Sequence, residues 1–121
     1  MPKVMLVEDD ATMLSLLTTL LEIEGFTVMT LEEERADLIL NQVKVEQPDV
    51  VLMDVHLHQL NGLDLLKMMK SDEQTKSVRV LMSSGMDFSR ECLRAGASDF
   101  IMKPYMPDDL ISHLRQVLSG N

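Results

Sequence analysis

Tryptophan is absent from this 121-residue chain, and three Phe and one Tyr are its only aromatics. Its core must therefore be filled by aliphatic and thioether side chains, and the eleven Met read as flexible gap fillers there rather than as a docking surface. The single cysteine, Cys92, excludes an intramolecular disulfide and a CxxC metal site. It reads as a plain residue on a short helix. Basic charge is also scarce: 11 Lys and Arg against 20 Asp and Glu give a net charge of −9, with no local basic run. Such a chain repels a phosphate backbone, which argues against direct nucleic-acid binding. No apolar run approaches the roughly 20 residues of a membrane span, and MPKVMLVEDD at the start carries acids where a signal peptide needs small residues. The expectation is a soluble cytoplasmic protein without membrane contact. No GxGxxG or P-loop string follows the first apolar run, so the common nucleotide-binding folds are excluded.

What is present is regular. Hydrophobic residues make up 45% and charged residues 26%, and the length suits one domain over residues 1–121. Five short apolar runs predict strands: Lys3 to Val7, Phe26 to Thr30, Val50 to Asp54, Val78 to Met82, and Phe100 to Met102. Between and after them lie amphipathic stripes. Met13, Leu14, Leu17, Leu20 and Leu21 predict a helix closed by Gly25, with Asp10 as its cap. Ala36, Ile39, Leu40 and Val43 mark a second helix over Glu32 to Val45. A third opens at Gly62 with Leu63, Leu65, Leu66 and Met69 inward, followed by a polar linker from Ser71 to Ser77. The fourth is short, Phe88 to Ala95. The fifth starts at Pro107 and carries Leu110, Ile111, Leu114, Val117 and Leu118. Strict alternation of strand and helix predicts a doubly wound α/β fold with a five-stranded parallel sheet, because every parallel connection needs a crossover.

In such a sheet the carboxyl ends of the strands share one edge, where ligand chemistry is placed. Here those ends carry Glu8 and Asp9, Asp54, Ser84, and Lys103. Asp54 on its buried strand is a nucleophile, a metal ligand, or both. Three carboxylates 4 Å apart repel by roughly 4 kcal/mol per pair at an effective dielectric near 20, so the cluster calls for a cation. Hard oxygen donors with open positions suit Mg²⁺. Asp54 could then form an aspartyl phosphate, with Lys103 and the Ser84 hydroxyl meeting the phosphoryl oxygens. Ser83 stands one register away, and Gly85 beside Ser84 favours Ser84. His56 and His58 lack a third ligand for a transition metal and read as solvated loop residues.

These residues resemble the response-regulator receiver domains of two-component signalling. The resemblance rests on LVED at 6 to 9, LMD at 52 to 54 with Gly62 beyond it, LMSSG at 81 to 85, and AGASDFIMKP at 95 to 104. It implies a flavodoxin-like sheet of order 2-1-3-4-5, the order that a family member exemplifies. It further implies Asp54 as phosphoacceptor, Glu8 and Asp9 as the Mg²⁺-binding acids, and the main-chain carbonyl of His56 as a third protein ligand. Ser84 and Phe100 would form the switch pair, and Lys103 would contact the phosphoryl group beside a cis peptide to Pro104. The implied function is a switch that takes a phosphoryl group from a histidine kinase or phosphotransfer protein. It is not a turnover enzyme: it catalyses only its own phosphorylation and slow dephosphorylation, since Met86 and His56 flank the water route and Met cannot orient water. The output partner or effector domain is unknown, and the resemblance allows a homodimer on phosphorylation.

Three departures stand out. Leu57 and His58 occupy positions where the family commonly has Met-Pro. The segment from Ser84 to Lys103 is about one helical turn short, within the fourth helix of the usual output face. Met106 stands where a helix cap is usually polar. The missing proline and the shortened fourth helix motivate an alternative, an atypical receiver that acts as a phosphorylation-independent interaction module. An aspartate-nucleophile phosphatase would want a second Asp where His56 stands.

Overall fold

The computed structural model describes residues 1–31 and 35–120. Five strands, β1 (Lys3–Val7), β2 (Thr27–Thr30), β3 (Val50–Asp54), β4 (Arg79–Ser84) and β5 (Asp99–Met102), form one parallel sheet in the order β2-β1-β3-β4-β5. Five helices alternate with them: α1 (Ala11–Ile23), α2 (Ala36–Glu46), α3 (Gly62–Ser71), α4 (Ser89–Arg94) and α5 (Pro107–Ser119). The doubly wound architecture expected from the alternation is observed, as is the flavodoxin-like strand order implied by the resemblance.

Strand periodicity divides the core in two. Met5, Val7, Val51, Met53, Val80 and Met82 face α2, α3 and α4, meeting Ile39, Val43, Leu65, Leu66, Met69 and Cys92. Val4, Leu6, Val50, Leu52 and Leu81 face α1 and α5, meeting Leu17, Leu21, Leu110 and Leu114. Both faces are covered, which is why the central strands read as unbroken apolar runs. Each such leucine or methionine, taken fully out of water, contributes roughly 1.5–3 kcal/mol. The methionines divide: Met5, Met53, Met69 and Met82 are fully buried, whereas Met68, Met86, Met102 and Met106 are exposed. Cys92 is buried on α4, as a plain core residue should be.

The punctuation also matches. Asp10 caps α1 by accepting the Met13 N–H at 3.0 Å, and Gly25 leaves that helix with φ at 93°. Pro107 opens α5 behind Met106, which makes no side-chain cap hydrogen bond. Boundaries shift elsewhere. Strand β2 starts at Thr27 rather than Phe26, α4 spans only Ser89–Arg94, and α2 is seen from Ala36; Glu32 to Glu34 of its expected span lie outside the described residues. The fourth strand continues two residues past Met82, because Ser83 pairs with Asp54 and Ser84 with Met102. The supposed polar linker after α3 contains a fully buried Thr75, whose hydroxyl donates to the Met69 carbonyl at 2.6 Å. Among the described residues no helix is long and apolar enough to cross a membrane.

Candidate phosphoacceptor site

The parallel sheet brings the expected residues to one edge: Glu8 and Asp9 just past β1, Asp54 at the end of β3, Ser84 at the end of β4, and Lys103 just past β5. Lys103 is the hub. Its ammonium lies 3.0 Å from Asp54 Oδ2 and 2.9 Å from Glu8 Oε1. Burial pulls the Lys103 pKa down, but hydrogen bonds and attraction from Glu8 and Asp54 outweigh it and leave the group above an ordinary lysine. It therefore stays cationic at neutral pH. Burial likewise pushes the neighbouring Tyr105 phenol up to about 12, so it stays neutral.

The two acids after β1 are held differently. Glu8 uses Oε1 on Lys103, and its Oε2 accepts the main-chain N–H groups of Asp9 at 2.9 Å and Asp10 at 3.2 Å. Asp9 Oδ2 accepts the main-chain N–H of His58, and the His58 ring Nδ1 lies 3.4 Å from the same oxygen. Among the described residues, Asp54 Oδ1 has only a long contact, 3.4 Å, from the His56 N–H.

The loop after β3 is closed by main-chain bonds: Val55 N–H to the Ser83 carbonyl at 2.8 Å, Leu57 N–H to that of Leu60 at 3.2 Å, and Gly62 N–H to that of Val55 at 2.7 Å. His56 forms an isolated antiparallel bridge with Asn61, and its ring meets Phe88 edge-on with centroids 5.4 Å apart. On the other flank Ser84 is fully buried, its hydroxyl oxygen accepting the Met86 N–H at 3.1 Å and its carbonyl accepting the Lys103 N–H at 2.8 Å. Phe100 pairs with Met82, so by strand alternation Phe100 and Ser84 share the sheet face toward α4. Ser83 is on the opposite face. The Lys103–Pro104 peptide is cis.

Does this donor set suit a metal? Among the described residues no three His, Cys, Asp or Glu side chains form a ready cage. Asp9 Oδ1 and Asp54 Oδ1 remain as carboxylate oxygens without a short hydrogen bond. Two hard oxygens fit Mg²⁺, which keeps several waters and binds through one or two carboxylates, better than an ion that needs a closed protein shell.

Sequence reasoning placed every strand-end residue on this edge but missed two contacts, His58 to Asp9 and His56 to Phe88. The signal for the first was in hand, since a residue with an N–H stands where the resembled family commonly has proline.

Comparison with known proteins agrees with the geometry. Residues 4–115 match the response regulator receiver domain. The transcriptional regulatory protein CpxR of Escherichia coli K12 is 35% identical over 98% of this chain and 50% of its own length. The DNA-binding response regulator MtrA of Mycobacterium tuberculosis is 30% identical over 98% of this chain and 51% of its own. The chain thus spans about half the length of these curated relatives. The solved structure of Vibrio cholerae chemotaxis protein CheY4 superposes with a TM-score of 0.86 at 25% identity, covering 98% of this chain and 99% of that one. With fold, strand-end chemistry and sequence in agreement, this chain belongs to the response regulator receiver domains of two-component systems.

Proposed function

We propose that this domain is a phosphorylation-driven switch that accepts a phosphoryl group on Asp54 from a histidine kinase or phosphotransfer protein, in a Mg²⁺-dependent reaction. The observation that carries the reading is the Asp54–Lys103 pair: a carboxylate at the end of the central strand, 12% exposed, with an ammonium 3.0 Å away. A carboxylate oxygen of Asp54 forms a bond to phosphorus while the bond from phosphorus to the donor imidazole nitrogen breaks, the nitrogen keeping the electron pair. Lys103 then pairs with a phosphoryl oxygen in place of Oδ2. Mg²⁺ would be held by Asp9, Asp54 and the main-chain carbonyl of His56, with Glu8 beside them, and would supply neutralisation of phosphoryl charge.

Readout follows from the Ser84 side. The Ser84 hydroxyl turns from the Met86 N–H to donate to the phosphoryl group, and Phe100, on the same face, repacks behind it. The switch acts only through partners that bind the two states differently. The Met86 side chain offers no hydrogen-bonding group to orient water, and the phosphoryl group is lost slowly without a phosphatase. The site is cytoplasmic, where such donors act, and the output partner is an effector domain or a separate protein.

The test is exposure to acetyl phosphate or beryllofluoride with and without Mg²⁺, read by NMR or mass spectrometry. Wild type should respond only with Mg²⁺, and Asp54→Ala should not respond. An unresponsive wild type refutes the reading and favours the phosphorylation-independent interaction module; a response retained in Asp54→Ala refutes Asp54 as the acceptor.

A further inference from the structure

The β3–α3 loop departs from the family pattern at Leu57 and His58, and the second departure has a chemical consequence. Proline has no main-chain N–H to donate. His58 does, and it donates that N–H to Asp9 Oδ2, across 49 positions of sequence. The loop is built to hold the donor there. Leu57 donates to the Leu60 carbonyl, His56 bridges to Asn61, and Gly62 closes the loop onto Val55. Leu57 and Leu60 pack against the α2–α3 side of the core, anchoring both sides of the turn. The acceptor is sheltered, with the Asp9 side chain 16% exposed, whereas the His58 side chain is 73% exposed. An ion pair with so solvated a ring contributes little, so the main-chain N–H carries the contact.

We propose that His58 is a positioning residue: its main-chain N–H fixes the Asp9 carboxylate through Oδ2 and leaves Oδ1 as the oxygen offered to a divalent cation. This rests on the Mg²⁺ reading given above. A carboxylate already held by one oxygen loses less rotamer freedom when the other meets a metal. Hydrogen-bond partners of ligating carboxylates commonly set metal affinity for that reason. The loop thus does through a main-chain donor what a proline at this position cannot.

Two substitutions separate the N–H from the ring. His58→Ala keeps the donor and removes the imidazole; His58→Pro removes both. Mg²⁺ titration by calorimetry should give a dissociation constant raised roughly tenfold in His58→Pro and unchanged within about twofold in His58→Ala. A second readout needs no metal. Hydrogen exchange at the His58 amide should be slow in wild type and at least about tenfold faster in Asp9→Ala, with the Leu57 amide unaffected. Mg²⁺ binding indifferent to His58→Pro, equal losses in both His58 variants, or a His58 amide that exchanges equally fast in wild type and Asp9→Ala overturns the proposal alone. A wild-type chain that binds no Mg²⁺ overturns the metal reading and this proposal with it. If His58→Pro does not fold, the amide comparison decides.

Discussion

Replacing Gly62 with alanine would place a Cβ 2.1 Å from the main-chain oxygen of Asp54 and 3.0 Å from both the Asp54 carbonyl carbon and the Val55 Cα. Carbon–oxygen contacts normally close at about 3.3 Å, so the new methyl intrudes by about 1 Å. All three obstructing atoms are backbone, so no side chain can swing aside. Either the end of β3 or the start of α3 must move. Overpacking of this kind costs about 1–3 kcal/mol, and parting Gly62 from the 2.7 Å hydrogen bond to Val55 adds about 1. Alanine in place of glycine returns up to about 1 kcal/mol of helix propensity. The net expectation is a loss of about 2 kcal/mol. With a urea slope near 1.5 kcal/mol/M, the unfolding midpoint should fall by about 1–2 M. The functional effect should be larger, because the residue displaced is the proposed acceptor, Asp54. A shift of about 1 Å in a reacting group can cost about 100-fold in rate. Urea denaturation and acetyl-phosphate labelling of the same sample test both halves. An unchanged midpoint together with wild-type labelling would refute the packing argument.

Thr75→Val keeps the shape of a fully buried side chain but leaves the Met69 carbonyl without its 2.6 Å partner, and should cost about 1–2 kcal/mol in the same denaturation assay; a change below about 0.5 would show the bond to be dispensable. Burial pushes the Cys92 thiol from 9.0 up to about 11, with Glu91 adding to the shift. The folded chain therefore keeps a proton that the unfolded chain loses, and stability should fall as pH rises above 9, by at most about 1.4 kcal/mol per pH unit. Between pH 9 and 10 that slope should be shallower in Cys92→Ala than in wild type, whatever the cavity costs at all pH values; identical slopes would remove the thiol as the cause.

Much of the site was legible because strand ends are marked twice, by apolar runs that stop and by polar residues that follow. Asp54, Glu8, Asp9 and Lys103 needed only the rule that parallel strands share an edge. Asp10 was legible because capping is local chemistry within one turn. Other features depend on partners far away in sequence. Ser83 and Ser84 look like turn residues alone, yet β3 and β5 supply ladders that extend the strand through them. Thr75 looks like solvated linker until the end of α3 presents a carbonyl to it. Phe88 was expected inside α4 but sits at its N-cap, with the His56 ring against it. The latch from His58 to Asp9 was visible only as a missing proline.

The sheet order has a consequence for how such a domain can change over time. Strand β3 is central, with the acids arriving from the β1 flank and the hydroxyl and lysine from the β4–β5 flank. In the proposed switch, loading and readout therefore hang on separate halves of the sheet. Lys103 crosses between them, joining Glu8 over 95 positions of sequence and Asp54 over 49. In the proposed switch, so long as that ammonium keeps both partners, the surface around α4 can change to suit a new partner while the acid pair and its loop stay as they are.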